Sequence, residues 1–269
     1  NTSFSTSFHA ESIRGFGMLI ESLELPIELA NSQGKIEIEG AVNKGTMSLK
    51  PTVDFSRDIP VVSIPANSTL LKGVGLTEDM SNDLLVHIHP IFKGAAVSRG
   101  TVDLAMQNFN WPLDEKARND AAFSGTLTFN EVKLQAGGLL TPLLSVMKVE
   151  DREIILSEQP MEFVGENGRV TCSPLEMSVN EYTLKLSGSI GFDKSLDYIA
   201  QIPVTRKMVS GDVYKYLEGT FISVPIGGTV SKPTINKNLV QTAIKDLVIQ
   251  AGTKQISDQA GKLLQKLFQ

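Results

Sequence analysis

The residues best suited to chemistry are few and scattered. His87 and His89 stand two apart beside Pro90. On a strand they would share a face, and on a helix they would diverge. A metal needs a third ligand at sensible spacing, but His9 is remote and no acid pattern completes a set. The pair therefore reads as ordinary half-buried histidines rather than a metal centre. Cys172, the single cysteine, lies in the extended stretch Val170-Thr171-Cys172-Ser173-Pro174, with Arg169 as the one nearby cation. It reads as a small packing residue, not a nucleophile. Gly73-Val74-Gly75 lacks the third glycine and the following acid of a dinucleotide loop, so a tight turn is expected. Asn67-Ser68-Thr69 fits a glycosylation pattern that short sequences meet by chance. There is no G-x-S-x-G elbow, no H-E-x-x-H and no paired His-Asp signature. The expectation is a chain that is not an enzyme and uses no cofactor.

Composition narrows the class further. The chain has 269 residues, 41% hydrophobic and 20% charged, with a net charge of −5. That length is enough for one large β domain or two smaller ones. The acidic balance and the absence of an Arg/Lys stripe argue against nucleic acid. With 6% aromatics and one tryptophan, Trp111, no stacking platform for bases is indicated. A lone cysteine excludes an internal disulfide. No stretch reaches the roughly 18–20 uninterrupted apolar residues of a membrane helix. The opening Asn1-Thr2-Ser3 has neither Met nor a signal-like start, which reads as a processed segment with any anchor or targeting signal upstream.

Strand signals dominate. Lys35-Ile36-Glu37-Ile38-Glu39 alternates apolar and charged residues, and Thr46 to Lys50 continues the pattern after the turn Asn43-Lys44-Gly45. Comparable phrases start at Arg99, Ser124, Asn167, Leu184 and Gly228. A Gly followed by small or β-branched residues recurs, permitting a bend before alternation sets the buried face. The spacing is too irregular for a solenoid. The expected fold is mainly β with a few helices: a strongly curved antiparallel meander sheet, groove-like or open-barrel-like, packed with short helices.

Helices are expected over Thr77–His89, Gly138–Lys148, Lys207–Leu217 and Asn236–Phe268. The last carries an apolar stripe from Val240 to Leu267, and Ala251-Gly252-Thr253 suggests a kink or two consecutive helices. Its polar side is basic, with Lys237, Lys245, Lys254, Lys262 and Lys266. Packing along the sheet is the favoured reading over lying on an anionic bilayer. Leu263, Leu264, Leu267 and Phe268 form the turn most suited to a membrane or partner. The chain thus divides into a β domain, residues 1–235, and a C-terminal helical segment, residues 236–269. A soft seam at 108–121 reads as an exposed loop in preference to a domain boundary.

Three phrases have a familiar order. Gly168-Arg169-Val170, then Gly188-Ser189-Ile190-Gly191-Phe192-Asp193, and finally Val224-Pro225-Ile226-Gly227-Gly228-Thr229 with Pro233 resemble the C-terminal region of AsmA-like proteins, over roughly the last 150 residues. That family is similar to TamB-like and bridge-like lipid transfer proteins. The resemblance implies a periplasmic domain, attached to the inner membrane in the full-length protein, that supports outer-membrane biogenesis and handles lipid in an apolar groove. Leu127, Phe129, Val132, Leu134, Leu184, Leu186, Ile190 and Phe192, on the inward side of the strands, are the expected groove lining. The alternative is a structural or assembly module that docks another envelope protein through a sheet edge or the C-terminal helix.

Overall fold

The computed structural model describes residues 3–267, without the side chains of Ser22 and residues 254–267. Seventeen strands form one antiparallel sheet, and hydrogen-bonded pairing follows chain order throughout. β1 (Ser3–Gly15) pairs with β2 (Met18–Ala30). β2 pairs with β3 (Gln33–Ile36) and β4 (Ile38–Val42), one run interrupted at Glu37. β5 (Gly45–Leu49) and β6 (Thr52–Asp54) pair back onto β4 and β3. β7 (Val61–Ser63) and β8 (Ser68–Gly75) follow and lead to β9 (Ala96–Pro112). β10 (Ala122–Gln135) pairs with β9 on one side, and on the other with β11 (Glu153–Leu156) and β12 (Met161–Glu166). The meander closes with β13 (Arg169–Val179), β14 (Tyr182–Gly191), β15 (Leu196–Pro203), β16 (Phe221–Thr229) and β17 (Lys232–Ile235). Since β1 and β17 each pair with one neighbour, the curved sheet is ring-like without being a barrel.

Hairpin turns hold the ring's shape. Asn43 and Lys44 both take positive φ, 44° and 70°, the backbone a two-residue turn between right-twisted strands requires. The Asn43 side chain also accepts from Leu19 N–H (3.2 Å) and donates to the carbonyls of Gly17 (3.2 Å) and Gly75 (3.3 Å). One amide thereby ties three strand ends together. Gly17, at φ 72°, has no room for a side chain, because a Cβ there would sit 2.0 Å from Met80 N.

The inner face of the ring is filled by two chain excursions. The first is α1 (Glu78–Asp83), capped by Thr77 Oγ1 accepting from Met80 N–H, and then the 3-10 turns Leu85–His87 and Pro90–Phe92. Met80, Leu85, Ile91 and Phe92 are fully buried. The continuous helix expected over Thr77–His89 is thus broken at Leu84. Its buried positions, 80–81, 85–86 and 89–92, keep a helical spacing, while Leu84, at φ −120° and ψ −64°, interrupts the helix and Pro90 opens the second 3-10 turn. The second excursion is α2 (Leu140–Met147), which buries Leu140, Leu143 and Met147 as its sequence predicts.

α3 (Gly211–Leu217) begins later than Lys207. α4 (Lys237–Leu267) is one helix, unbroken through Ala251-Gly252-Thr253, rather than two. Its stripe Val240, Ala243, Ile244, Leu247, Val248 and Ala251 packs towards the core, with α3 and β16 as its neighbours. The segment 108–121 is the end of β9 and an exposed 3-10 turn, Glu115–Asp120, inside the one sheet. Phe268 lies outside the described residues, and Leu263, Leu264 and Leu267 lie where only the backbone of α4 is described.

Buried within the filling is His89, fully inaccessible. Its Nδ1 accepts from Ile91 N–H (3.4 Å), and its ring meets Tyr198 edge-on with centroids 5.2 Å apart. Burial pushes its pKa down to about 3. The unfolded chain, with an ordinary histidine pKa of about 6.5, then protonates first as pH falls. The stability contributed by neutral His89 is complete above that value and is lost towards about 3, at up to ~1.4 kcal/mol per pH unit. Urea denaturation from pH 7 to 4 should show a steeper stability loss for the native chain than for His89→Leu. Parallel slopes would count against this account.

Candidate functional site

The expected groove lining falls in two places. Leu127, Phe129, Val132, Leu134, Leu184 and Leu186 are completely buried, and Ile190 is 3% exposed. They are closed over by the filling, with Phe92 against Phe129 at 5.5 Å between ring centroids. The first six are packing core, while Ile190, also part of the core, borders an open cavity of about 580 Å³ beside Val86 and His87. The correction has a plain cause: alternation reports that one face of a strand is buried, not whether helix or ligand covers it. Phe192 differs, being half-buried among aromatic rings.

That aromatic group marks where the filling ends. Trp111 lies 6.3 Å from Phe109, 6.1 Å from Phe123 and 5.5 Å from Phe192, centroid to centroid. Phe123 in turn meets Phe163. Two glycines make room for the rings: a Cβ at Gly165 would strike Phe123, and one at Gly125 would strike Phe163. Because directly paired residues of an antiparallel sheet share a face, Phe123, Gly165, Val170 and Ile190 place the rings on the inner face.

From the rings the inner face runs on, uncovered, across the N-terminal strands. Val62 pairs with Trp111, Val53 with Val62, Gly34 with Val53, Leu29 with Gly34, and Phe4 with Leu29. A second row carries Ile36, Ile27 and Thr6, and Phe8 pairs with Leu25 beside it. Phe55 lies over Gly34, its Cε2 3.3 Å from where a Cβ would stand. No charged residue belongs to these rows. Exposure is high for the setting: Phe4 59%, Phe8 57%, Phe55 49% and Leu29 41%.

The opposite face of the same hairpin is polar, with Ser5 against Glu28 and His9 against Glu24. Over residues 4–8 and 25–29 the hairpin is therefore two-sided, with its apolar side largely exposed, whereas Leu23, paired with Ala10 further along, is buried. A contiguous apolar patch of this kind marks an interaction surface. Arranged along the inner wall of a curved sheet, it forms a shallow apolar trough.

Sequence reasoning passed over this trough, although its signal was present. Phe4-Ser5-Thr6-Ser7-Phe8 and Leu23-Glu24-Leu25-Pro26-Ile27-Glu28-Leu29 both alternate.

The remaining candidates are structural. His87 sits at the end of the 3-10 turn Leu85–His87, and burial lowers its pKa. Among the described residues no group of three or more His, Cys, Asp or Glu converges as a metal site requires. Gly73-Val74-Gly75 belongs to β8, where Gly73 N–H donates to Asp103. Asn67 takes positive φ at a turn, and Ser68 Oγ donates to Pro65 carbonyl. Among the described residues no helix is long and apolar enough to cross a membrane. No family model, curated protein or solved structure matches the chain.

Cys172 packs inside the ring, its Sγ donating to Ile88 carbonyl at 3.1 Å. Burial pushes its thiol up to about 12, far from the thiolate form that reacts. Ellman's reagent at pH 8 should label Cys172 only in denaturant. Stoichiometric labelling of the folded protein would contradict the buried placement.

Proposed function

We propose that this chain is a non-catalytic domain of an AsmA-like envelope protein that binds lipid through the bare inner wall of its N-terminal strands. In this reading it works in the periplasm, held to the inner membrane by a segment upstream, and passes lipid in support of outer-membrane biogenesis. The observation that carries the lipid-binding part is the uncharged strip from Trp111 to Phe4, contiguous with the packed core and left exposed. Burial of apolar area supplies the affinity, roughly 25 cal/mol per Å² removed from water. Periplasmic location, attachment and the role in outer-membrane biogenesis rest on the resemblance.

Trp111 is the single tryptophan and sits at the inner end of the strip, so it reports occupancy directly. Titration with a soluble short-chain phosphatidylcholine should shift its emission to the blue with saturation. Phe8→Asp with Leu29→Asp should weaken that binding at least about tenfold, roughly 1.4 kcal/mol. Both side chains are exposed, so the denaturation midpoint should barely move. Saturation at unchanged affinity in the double variant would remove the trough from the account.

One observation favours a second reading, the docking of another envelope protein. β1 is a 13-residue edge strand whose outer side pairs with nothing among the described residues. Long unblunted edges recruit strands from other chains. Ser7→Lys on β1 should abolish capture of such a partner while leaving lipid binding intact. Capture insensitive to β1, but lost on deletion of residues 261–269, would transfer the docking role to the C-terminal helix.

A further inference from the structure

Between α2 and the first turns of α4 lies an open cavity of about 550 Å³, within the roughly 300–1,000 Å³ of small-molecule sites. Its apolar lining includes Val146, Val240 and Ile244, and three lysines stand around it: Lys148 at the end of α2, and Lys237 and Lys245 on α4. No Asp or Glu lines it. None of the three lysines makes an ion pair among the described residues. The carboxylate nearest in sequence to Lys148, Glu150, is already engaged by Lys207 at 2.9 Å, which holds its pKa below the usual carboxylate range.

Three lysines around one cavity, with no ion-pair partner among the described residues, are unexpected on a chain with 30 acidic and 25 basic residues. Like charges around one cavity raise its positive potential, and an anion bound there is attracted by all three. A small inorganic anion would satisfy the ammonium groups and leave the apolar lining wet. A neutral apolar molecule would do the reverse.

We infer that this cavity binds a single-chain anionic amphiphile, a fatty carboxylate. Its head is held by Lys148, Lys237 and Lys245, and its tail lies on Val146, Val240 and Ile244. Lysine suits the head, since its ammonium acts as a mobile point charge that imposes no fixed geometry. The site shares no residue with the trough of the N-terminal strands and stands whether or not that trough takes lipid.

The two sites are separated by measuring binding in the full chain carrying Phe8→Asp and Leu29→Asp, which disables the trough alone. Calorimetric titration with dodecanoate below its micelle concentration should give saturable binding that weakens as salt is raised. Dodecanol, with the same tail and no charge, should bind at least about tenfold more weakly, and so should acetate, which has the head and no tail. Lys148→Gln, Lys237→Gln and Lys245→Gln together should reduce dodecanoate affinity by a similar factor. If that triple variant misfolds by circular dichroism, Lys237→Gln alone, at an exposed position, serves the same comparison with a smaller drop. Equal binding of dodecanol and dodecanoate, acetate binding as tightly as dodecanoate, indifference to the lysine variants, or no dodecanoate binding would each overturn the inference.

Discussion

One constraint organises this molecule: a sheet with one continuous apolar face must cover that face, and the chain carries internal cover for only part of it. The α1 segment and α2 supply the cover, inserting Met80, Leu85, Ile91, Phe92, Leu140, Leu143 and Met147 against the strands. Where they reach, the face becomes an ordinary close-packed core, with Leu127, Phe129 and Leu184 inaccessible. Where they stop, at the rings around Trp111, the apolar pattern continues without them. The strands β1 to β3 and β6 to β7 overhang that boundary. Exposed Phe4, Phe8 and Phe55 are the consequence.

Maintaining the overhang requires stiffness at its root. The Asn43 amide and the tight seat of α1 against Gly17 fasten the hairpin ends on the filled side of the ring. Thr77 adds a hydrogen bond to Gly17 carbonyl at 3.0 Å while capping α1. The filling and the wall are thereby one rigid unit at that end, and the trough grows out of it. A preformed apolar wall lowers the ordering cost of binding a flexible chain, because only the ligand loses freedom.

Much of the architecture was legible in the residues. Alternation at Lys35–Glu39 and the Gly-led phrases from Arg99 onwards located strands and, through their order, a meander. Leu140 to Met147 was readable as a helix because its apolar residues have helical spacing. The identity of the cover was not readable, since a buried strand face looks the same under a helix, a second sheet or a lipid. The sequence favoured packing of α4 along the sheet. It does meet the sheet, at β16, with α3 as its other neighbour, but the middle of the ring is sealed by the stretch around Leu85 and Phe92, which is broken into short turns. The trough in turn was hidden in the first 30 residues, where serines and glutamates between the apolar positions made a polar-looking segment.

We propose that the exposed wall, and not the filled ring, meets acyl chains. Photo-crosslinking tests it most directly: a phospholipid with a diazirine in its acyl chain is irradiated with the full chain, and the labelled residues are mapped by peptide mass spectrometry. Adducts are expected on β1, β2 and the Phe55 loop, with the segments around Phe92 and Leu143 unlabelled. Adducts concentrated on those inner segments, or no specific adduct above a competed background, would contradict it.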